Sequence, residues 1–393
     1  MEEASFSTDN ILSNFPSCLR KNIEELCLRS KIGLSSITLN DITIPKISCA
    51  AQYGILDNFH FILKVPYAGK KMKWEVIFDP EDFFFTPDFL FNDDEFLENP
   101  QYDYLMDNVP SLNNWDLKNP QALAKVLNEF LGLYKKLQVE KLRTENIYSR
   151  YWEEYEALTT KESGIGPEQI EVQVGNNIDF LVSLPVDCSA LPPYAQPVIF
   201  RNSPHNEGYN PGFDFAHLKI TILELDGART NASLQLSPRL MQVLGPSKNI
   251  NLPSFQNMAL VTYVDSVSKM IETRIAAVVD HYVKKKVYIV NMAAMCSKSI
   301  IEYDAENFNK AVFLYDDDDD EYNCLVTVSI GAKFPQEKPT VQLSSIYCQD
   351  SKFCNETIDK YPYKPSHKPE VNIEHLLEYL GDVVKKFKCH KHK

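Results

Sequence analysis

The chain carries nine cysteines and eight histidines, and their spacing suits almost none of the chemistry those side chains can do. The cysteines are odd in number and no Cys-x-x-Cys occurs, so neither a disulfide framework nor a zinc knuckle is encoded. His390-Lys391-His392 offers the His-x-His pair of a zinc protease. No aspartate follows it to complete three fixed ligands, and an exposed histidine cluster with fortuitous metal affinity is the plainer reading. A Gly-x-Ser-x-Gly nucleophile elbow and a Gly-x-x-x-x-Gly-Lys phosphate loop are both missing from the sequence. The residues therefore predict no catalytic, cofactor-binding or metal-binding group and no cofactor. The expectation is a protein that is not an enzyme.

Size and charge narrow the classes further. A chain of 393 residues exceeds one ordinary core and suggests two or three domains. Apolar residues at 44%, charged residues at 24% and aromatics at 11% describe a folding chain rather than a disordered one. A net charge of −14 argues against nucleic acid as a partner, because phosphate contacts need a concentrated basic face. The short runs Lys284–Lys286 and Lys385–Lys388 are both expected near helix ends, where positive charge suits the dipole. No basic-then-apolar leader opens the sequence, and no apolar run approaches the length needed to span a bilayer. The expectation is an intracellular protein with no membrane partner, in which the sequons at Asn231 and Asn355 carry little meaning.

The elements that would have to position any site recur along the chain. A helical spacing runs from Asn10 to Arg29 through Leu12, Phe15, Leu19, Ile23 and Leu26, interrupted at Pro16. The period then changes to two: Phe59, Phe61, Leu63 and Val65 alternate with His60, Ile62 and Lys64. Trp74, Val76 and Phe78 repeat the alternation, and Pro66-Tyr67-Ala68-Gly69 supplies turn chemistry between the two strands. Trp74 is expected in the core. A loop Asp82-Phe83-Phe84-Phe85-Thr86-Pro87 follows, then Phe89, Leu90 and Phe91. After an acidic, proline-punctuated stretch, Asn119 and Pro120 look like the N-cap and first position of a strong helix. Its stripe is Leu123, Val126, Leu127, Phe130, Leu131, Tyr134 and Leu137, and the pattern is expected to run on past Tyr148 into Trp152 and Tyr155.

The last third repeats that order. Val264, Val267, Met270, Ile271, Ile275, Val278, Val279 and Tyr282 share one helical face. Strand-like runs follow at Ala311–Tyr315 and Leu325–Ile330, then the loop Phe334-Pro335-Gln336-Glu337-Lys338-Pro339, then Val341 and Leu343 in alternation. A helix carrying Ile373, Leu376, Leu377, Leu380, Val383, Val384 and Phe387 closes the chain. Placing Pro87 over Pro339 brings Phe61 over Phe313, which suggests an internal duplication. The middle is less regular, with strand candidates at Ile170–Val174, Ile178–Leu184, Leu218–Leu225 and Ala232–Leu236, and reads as an eroded third copy. The acidic run Asp316–Glu321 is expected to be a solvated hairpin loop. The expected organisation is an α+β fold of tandem domains: 1–142, a degenerate middle region 143–262, and 263–393.

Helix, antiparallel meander, proline loop and flanking helices together resemble the ubiquitin-conjugating-enzyme fold and its inactive UEV variants. Particular stretches resemble the BRE family: Val65-Pro66-Tyr67-Ala68-Gly69, Lys73-Trp74-Glu75-Val76-Ile77-Phe78, Thr86-Pro87-Asp88-Phe89, Leu236-Ser237-Pro238-Arg239, Ile301-Glu302-Tyr303-Asp304-Ala305-Glu306 and Lys360-Tyr361-Pro362-Tyr363. They keep the family's order over most of the chain. The resemblance implies a scaffold subunit of the BRISC deubiquitinase complex and of its nuclear DNA-repair counterpart, present in cytoplasm and nucleus. It implies as partners an Abraxas-like scaffold protein, a JAMM-type zinc metalloprotease that cleaves lysine-63-linked ubiquitin chains, and a von Willebrand-A-like adaptor. Pro87, Pro335 and Pro339 are then structural proline-loop residues. The family's Tyr-Pro in the first loop is Asp82-Phe83 here, so a contact through that loop is not carried over.

An active conjugating enzyme needs a thiolate about twenty residues past the proline loop, with a His-Pro-Asn nearby. Twenty residues past Pro87 stands Asp107, and residues 50–187 contain no cysteine. Twenty past Pro339 stands Asp359. Cys348 and Cys354 come earlier and read as bystander thiols, with a residual conjugating activity through Cys354 as the enzymatic alternative. A stand-alone UEV module that binds ubiquitin or a proline-rich peptide is the other alternative to the scaffold.

Overall fold

The fold of the chain was obtained as a computed structural model, which describes residues 12–45, 59–79, 81–98, 100–160, 164–195, 212–224, 227, 229–255, 258–315, 323–346 and 355–389. The side chains of Tyr194, Lys388 and Cys389 also lie outside the description. So do Cys348, Cys354, His390, His392 and the acidic run 316–321.

The architecture is α+β with antiparallel sheets, as the residue pattern predicts. The chain divides into two compact units: Met1–Pro185 with Phe215–Leu236 and Ser247–Ser268, and Val186–Asp214 with Ser237–Pro246 and Lys269–Lys393.

In the first unit, α1 (Arg20–Leu28) precedes a four-stranded sheet in the order β1 (Ile42–Thr43), β2 (His60–Tyr67), β3 (Lys70–Ile77), β4 (Asp88–Phe91). Pro16 does end the helical spacing there, and α1 starts only at Arg20. β2 and β3 pair antiparallel over their full length, from His60↔Ile77 to Tyr67↔Lys70. Only Ala68 and Gly69 turn the chain, with φ of 46° and 70°, the two left-handed residues that suit the twist of a two-residue hairpin. The turn is thus narrower than Pro66–Gly69: Pro66 lies in β2, opposite Lys71. It is tolerated because β1 reaches only Ile62 and Leu63, which leaves Pro66 on an open edge.

Phe61, Leu63, Val65, Trp74 and Val76 are buried beneath α4 (Ala122–Thr144), whose own stripe of Leu123, Val126, Leu127, Phe130 and Leu131 is buried too. Trp74 is core as expected, 1% exposed. Phe91 meets its ring edge-on at 5.1 Å and Phe96 lies near-parallel at 6.1 Å. Two short helices, α2 (Tyr102–Asn108) and α3 (Pro110–Asn113), lead into α4. The helix begins two residues later than Asn119 and Pro120 suggest, although the Asn119 side chain does accept the Gln121 N–H at 3.1 Å. Nor does α4 run on. It stops at Glu145, which is extended, and a 3-10 turn Asn146–Tyr148 separates it from α5 (Ser149–Leu158).

The same unit holds a second sheet in the order β5 (Ile170–Gln173), β6 (Ile178–Asp187), β7 (Phe213–Ile222), β8 (Thr230–Leu236). Every residue from Ile178 to Leu184 is buried, a strand covered on both faces. The middle region is therefore a complete four-stranded sheet followed by only a short helix, α6 (Pro238–Leu244).

The longest element is α7 (Leu260–Met295), and it begins before and ends after the span predicted for it. Leu260, Val264, Val267, Ile271 and Ile275 are buried at three- and four-residue intervals along its first half, and Ile289 and Met292 are buried near its end. Because the helix continues to Met295, Lys284–Lys286 sit well inside it rather than near its end. The second unit's sheet has the order β13 (Asn355–Ile358), β12 (Thr340–Ser345), β11 (Cys324–Ser329), β10 (Lys310–Tyr315), β9 (Ile300–Tyr303), and α8 (Pro369–Cys389) closes it. Lys385–Lys388 do fall in the last turns of α8.

The two end sheets share one entry point, with a corrected register. Pro87 and Pro339 each stand one residue before a strand, β4 and β12. Across the first sheet, Phe61 pairs Val76 and Val76 pairs Phe89; across the last, Ala311 pairs Val328 and Val328 pairs Val341. The partner of Phe61 is thus Ala311 and not Phe313. The shift of two keeps the same face inward, which is why the hydrophobic pattern hides it.

Candidate functional site

Thiols come first because they were the only plausible nucleophiles. Cys27, Cys188, Cys296 and Cys324 are buried and Cys18 is exposed. Burial pushes the Cys27 thiol up to about 12, and the Cys188 and Cys296 thiols each up to about 11. At neutral pH these three remain protonated, as small apolar side chains do, and a protonated thiol is a poor nucleophile. Among the described residues no group of three or more His, Cys, Asp or Glu could hold a metal ion. No helix among them is long and apolar enough to cross a membrane.

The proline loops differ in how they are held. In the second unit, Tyr363 donates its hydroxyl to the Pro335 carbonyl at 2.7 Å, and Tyr361 donates to the Pro339 carbonyl. His281 of α7 meets the Phe334 carbonyl at 2.9 Å, and Tyr288 packs edge-on against the Phe334 ring at 5.3 Å. Pro335 is half-buried and Pro339 buried. In the first unit Pro87 is buried and Phe83 packs against Phe78, but Phe84 and Phe85 are 64% and 66% exposed.

Several of the family-like stretches fasten the fold. Ser237 accepts the Leu240 N–H at 3.2 Å and donates to Asp214 at 2.6 Å, capping α6 with Pro238 at its first position. Asp304 accepts the backbone N–H groups of Glu306, Asn307 and Asn309, closing the turn between β9 and β10. Burial works to raise its pKa, yet those three donors and Lys285 leave it below the ordinary carboxylate value. Lys285, buried and donating to Asn309, is held low by that burial.

The tip of the β2–β3 hairpin is tied to the second sheet of its own unit. Tyr67 donates to the Val172 carbonyl at 2.9 Å. Glu171, 3% exposed, accepts the Ala68 N–H at 2.7 Å and the Leu34 N–H at 3.0 Å. Burial raises its pKa despite both donors. Asp179, fully buried, takes Lys70 at 2.6 Å and Lys219 at 3.5 Å, and Lys219 also reaches the Gly69 carbonyl at 3.1 Å. Nothing in the strand pattern announces Glu171, since Ile170 and Val172 flank it and a lone glutamate there reads as solvent-facing.

These contacts hold protein segments in place. The family model described as Brain and reproductive organ-expressed protein (BRE) matches residues 13–349, which take in the first two sheets and four of the five strands of the last. The chain belongs to the BRE family. Two relatives match over more than nine-tenths of the chain. A Danio rerio protein named "BRISC and BRCA1-A complex member 2" is 28% identical over 373 residues, covering 92% of this chain and 91% of that protein. A Branchiostoma floridae protein of the same name is 28% identical over 404 residues, covering 97% of each. BRE-family relatives are thus named as members of a complex, and this chain is similar to them from end to end.

Proposed function

We propose that this BRE-family chain is a non-catalytic scaffold subunit of a BRISC-like, lysine-63-linkage-specific deubiquitinase assembly. It bridges an Abraxas-like protein with its JAMM-type metalloprotease and a von Willebrand-A-like adaptor, through domains of the UEV type. Its place is in cytoplasm and nucleus, with roles in ubiquitin signalling, the DNA-damage response and restraint of apoptosis. The family match over residues 13–349 carries the reading. The raised thiols of Cys27, Cys188 and Cys296 make those three poor nucleophiles for thioester chemistry. Co-expression tests it: the chain is expected to co-purify with the Abraxas-like protein, its metalloprotease and the adaptor as one species. Failure to join any of them removes the scaffold reading.

A further inference from the structure

Residues 74–117 contain twelve aspartates and glutamates and no lysine, arginine or histidine, in a chain whose net charge is −14. Nearly all of the excess negative charge is therefore concentrated on β4 and the segments around it. Among the described residues, Glu95 pairs with Lys141, and Glu75 meets the His60 ring nitrogen at 2.8 Å. Asp79, Glu81, Asp88, Asp94, Glu98, Asp103 and Asp107 are exposed. Hydrogen bonds from nearby backbone N–H groups to Asp79 and Asp82 order the loop without removing its charge.

The same stretch exposes large apolar side chains. Phe84 and Phe85 stand at 64% and 66%, Leu90 at 53%, Tyr102 at 70% and Tyr104 at 48%. Leu90 points outward from β4, an edge strand, while Phe89 and Phe91 pack inward against the core. Phe91 stacks edge-on against Phe96 at 4.7 Å. Phe96 also lines an open groove of about 700 Å³ between the segment after β4 and α4, with Leu97, Tyr104, Leu133 and Leu137 beside three glutamates and one lysine, Lys136. One edge of the first sheet thus carries an exposed phenylalanine pair at one end, an apolar groove at the other, and carboxylates throughout.

We propose that this acidic, aromatic edge is a protein-docking surface, and that its occupant is a partner protein presenting apolar pockets ringed by lysine and arginine. The charge selects the occupant. Nucleic acid and anionic lipid are repelled by a predominantly acidic field, whereas a basic protein surface is drawn in and oriented by it. Exposed aromatic rings set among charges are the kind of anchor that fills a partner's pocket, with the surrounding charges setting encounter rate and register. The inference rests on the scaffold reading, because it takes the partner from the same assembly.

The test uses the full chain and the three purified partners of the proposed assembly, with binding measured at low and high sodium chloride. One variant removes the anchors, Phe84→Ser with Phe85→Ser. A second leaves the fold's apolar contacts untouched: Asp79→Asn, Glu81→Gln, Asp82→Asn and Asp88→Asn together. Both are expected to melt like the parent chain. For one of the three partners, the anchor variant is expected to weaken binding at least tenfold. For that partner the charge variant slows association and flattens the salt dependence. If the parent binds and both variants match it within twofold at every salt concentration, the docking surface is overturned while the scaffold reading stands. If the parent chain binds none of the three, the scaffold reading falls and this inference falls with it.

Discussion

Glu171→Ala tests how the two sheets of the first unit are joined. The carboxylate accepts two backbone N–H groups, Ala68 at 2.7 Å and Leu34 at 3.0 Å, at a position 3% exposed. Alanine leaves both donors buried without acceptors. Each orphaned donor costs ~1–3 kcal/mol, so the pair costs ~2–6 kcal/mol. For a unit of this size a loss of 1 kcal/mol lowers the melting temperature by about 2–4 °C, which puts the expected shift at roughly 5–20 °C. All three tryptophans, Trp74, Trp115 and Trp152, lie in the first unit, so intrinsic fluorescence reports its melting selectively. Glu171→Gln adds a sign. Burial raises the folded-state pKa above the ordinary 4.5, so the native state binds the proton more tightly than the unfolded chain does. The stabilisation from that proton is complete below 4.5 and is lost as pH rises through the folded value. Glutamine, which does not titrate, should therefore cost most in acid and less at neutral pH. A fluorescence shift under about 2 °C for Glu171→Ala, where the expected range is set by the buried-donor cost, refutes the proposed tie between the sheets.

Other outcomes follow from the same geometry. Alkylation of the folded chain at mildly alkaline pH, mapped by peptide mass spectrometry, should modify Cys18 and spare Cys27, Cys188 and Cys296 until denaturant is added. Rapid labelling of any of the three would contradict their burial. Tyr363→Phe removes the 2.7 Å bond to the Pro335 carbonyl and should cost ~0.5–1.5 kcal/mol. It should speed hydrogen exchange around the second proline loop and leave tryptophan fluorescence unchanged. Asp304 is held below its ordinary value of 3.8, so its contribution is present above that value and is lost as pH falls through the folded one. Asp304→Asn should destabilise the second unit at neutral pH and make little difference in strong acid, as read by calorimetry.

Periodicity revealed the elements that bury one face. β2, β3, β10, β11, β12, α4, α7 and α8 were all legible because their apolar residues repeat every two or every three to four positions. Boundaries were less so. Glu145 breaks α4 from α5 although both carry helical spacing, because a single extended residue leaves no mark on the apolar pattern. β1, β9 and β13 are two to four residues long, too short for alternation to register. The two-residue offset between the end sheets was invisible for a related reason: it preserves which face is inward. The sheet-to-sheet tie through Glu171 and Asp179 was not legible, since it joins residues about a hundred positions apart. Exposure of Phe84 and Phe85 was equally hidden. The sequence places all three phenylalanines in a loop without distinguishing them, and the fold packs Phe83 against Phe78 while Phe84 and Phe85 stay exposed.

The scaffold claim meets its most direct test in cleavage of lysine-63-linked diubiquitin. The Abraxas-like, metalloprotease and adaptor subunits would be assembled with and without this chain, and the complex sized alongside the rate. The account predicts that omitting the chain lowers cleavage or breaks the complex apart, and that cysteine-to-serine variants restore it as fully as the parent. A complex that forms and cleaves equally well without the chain would contradict it.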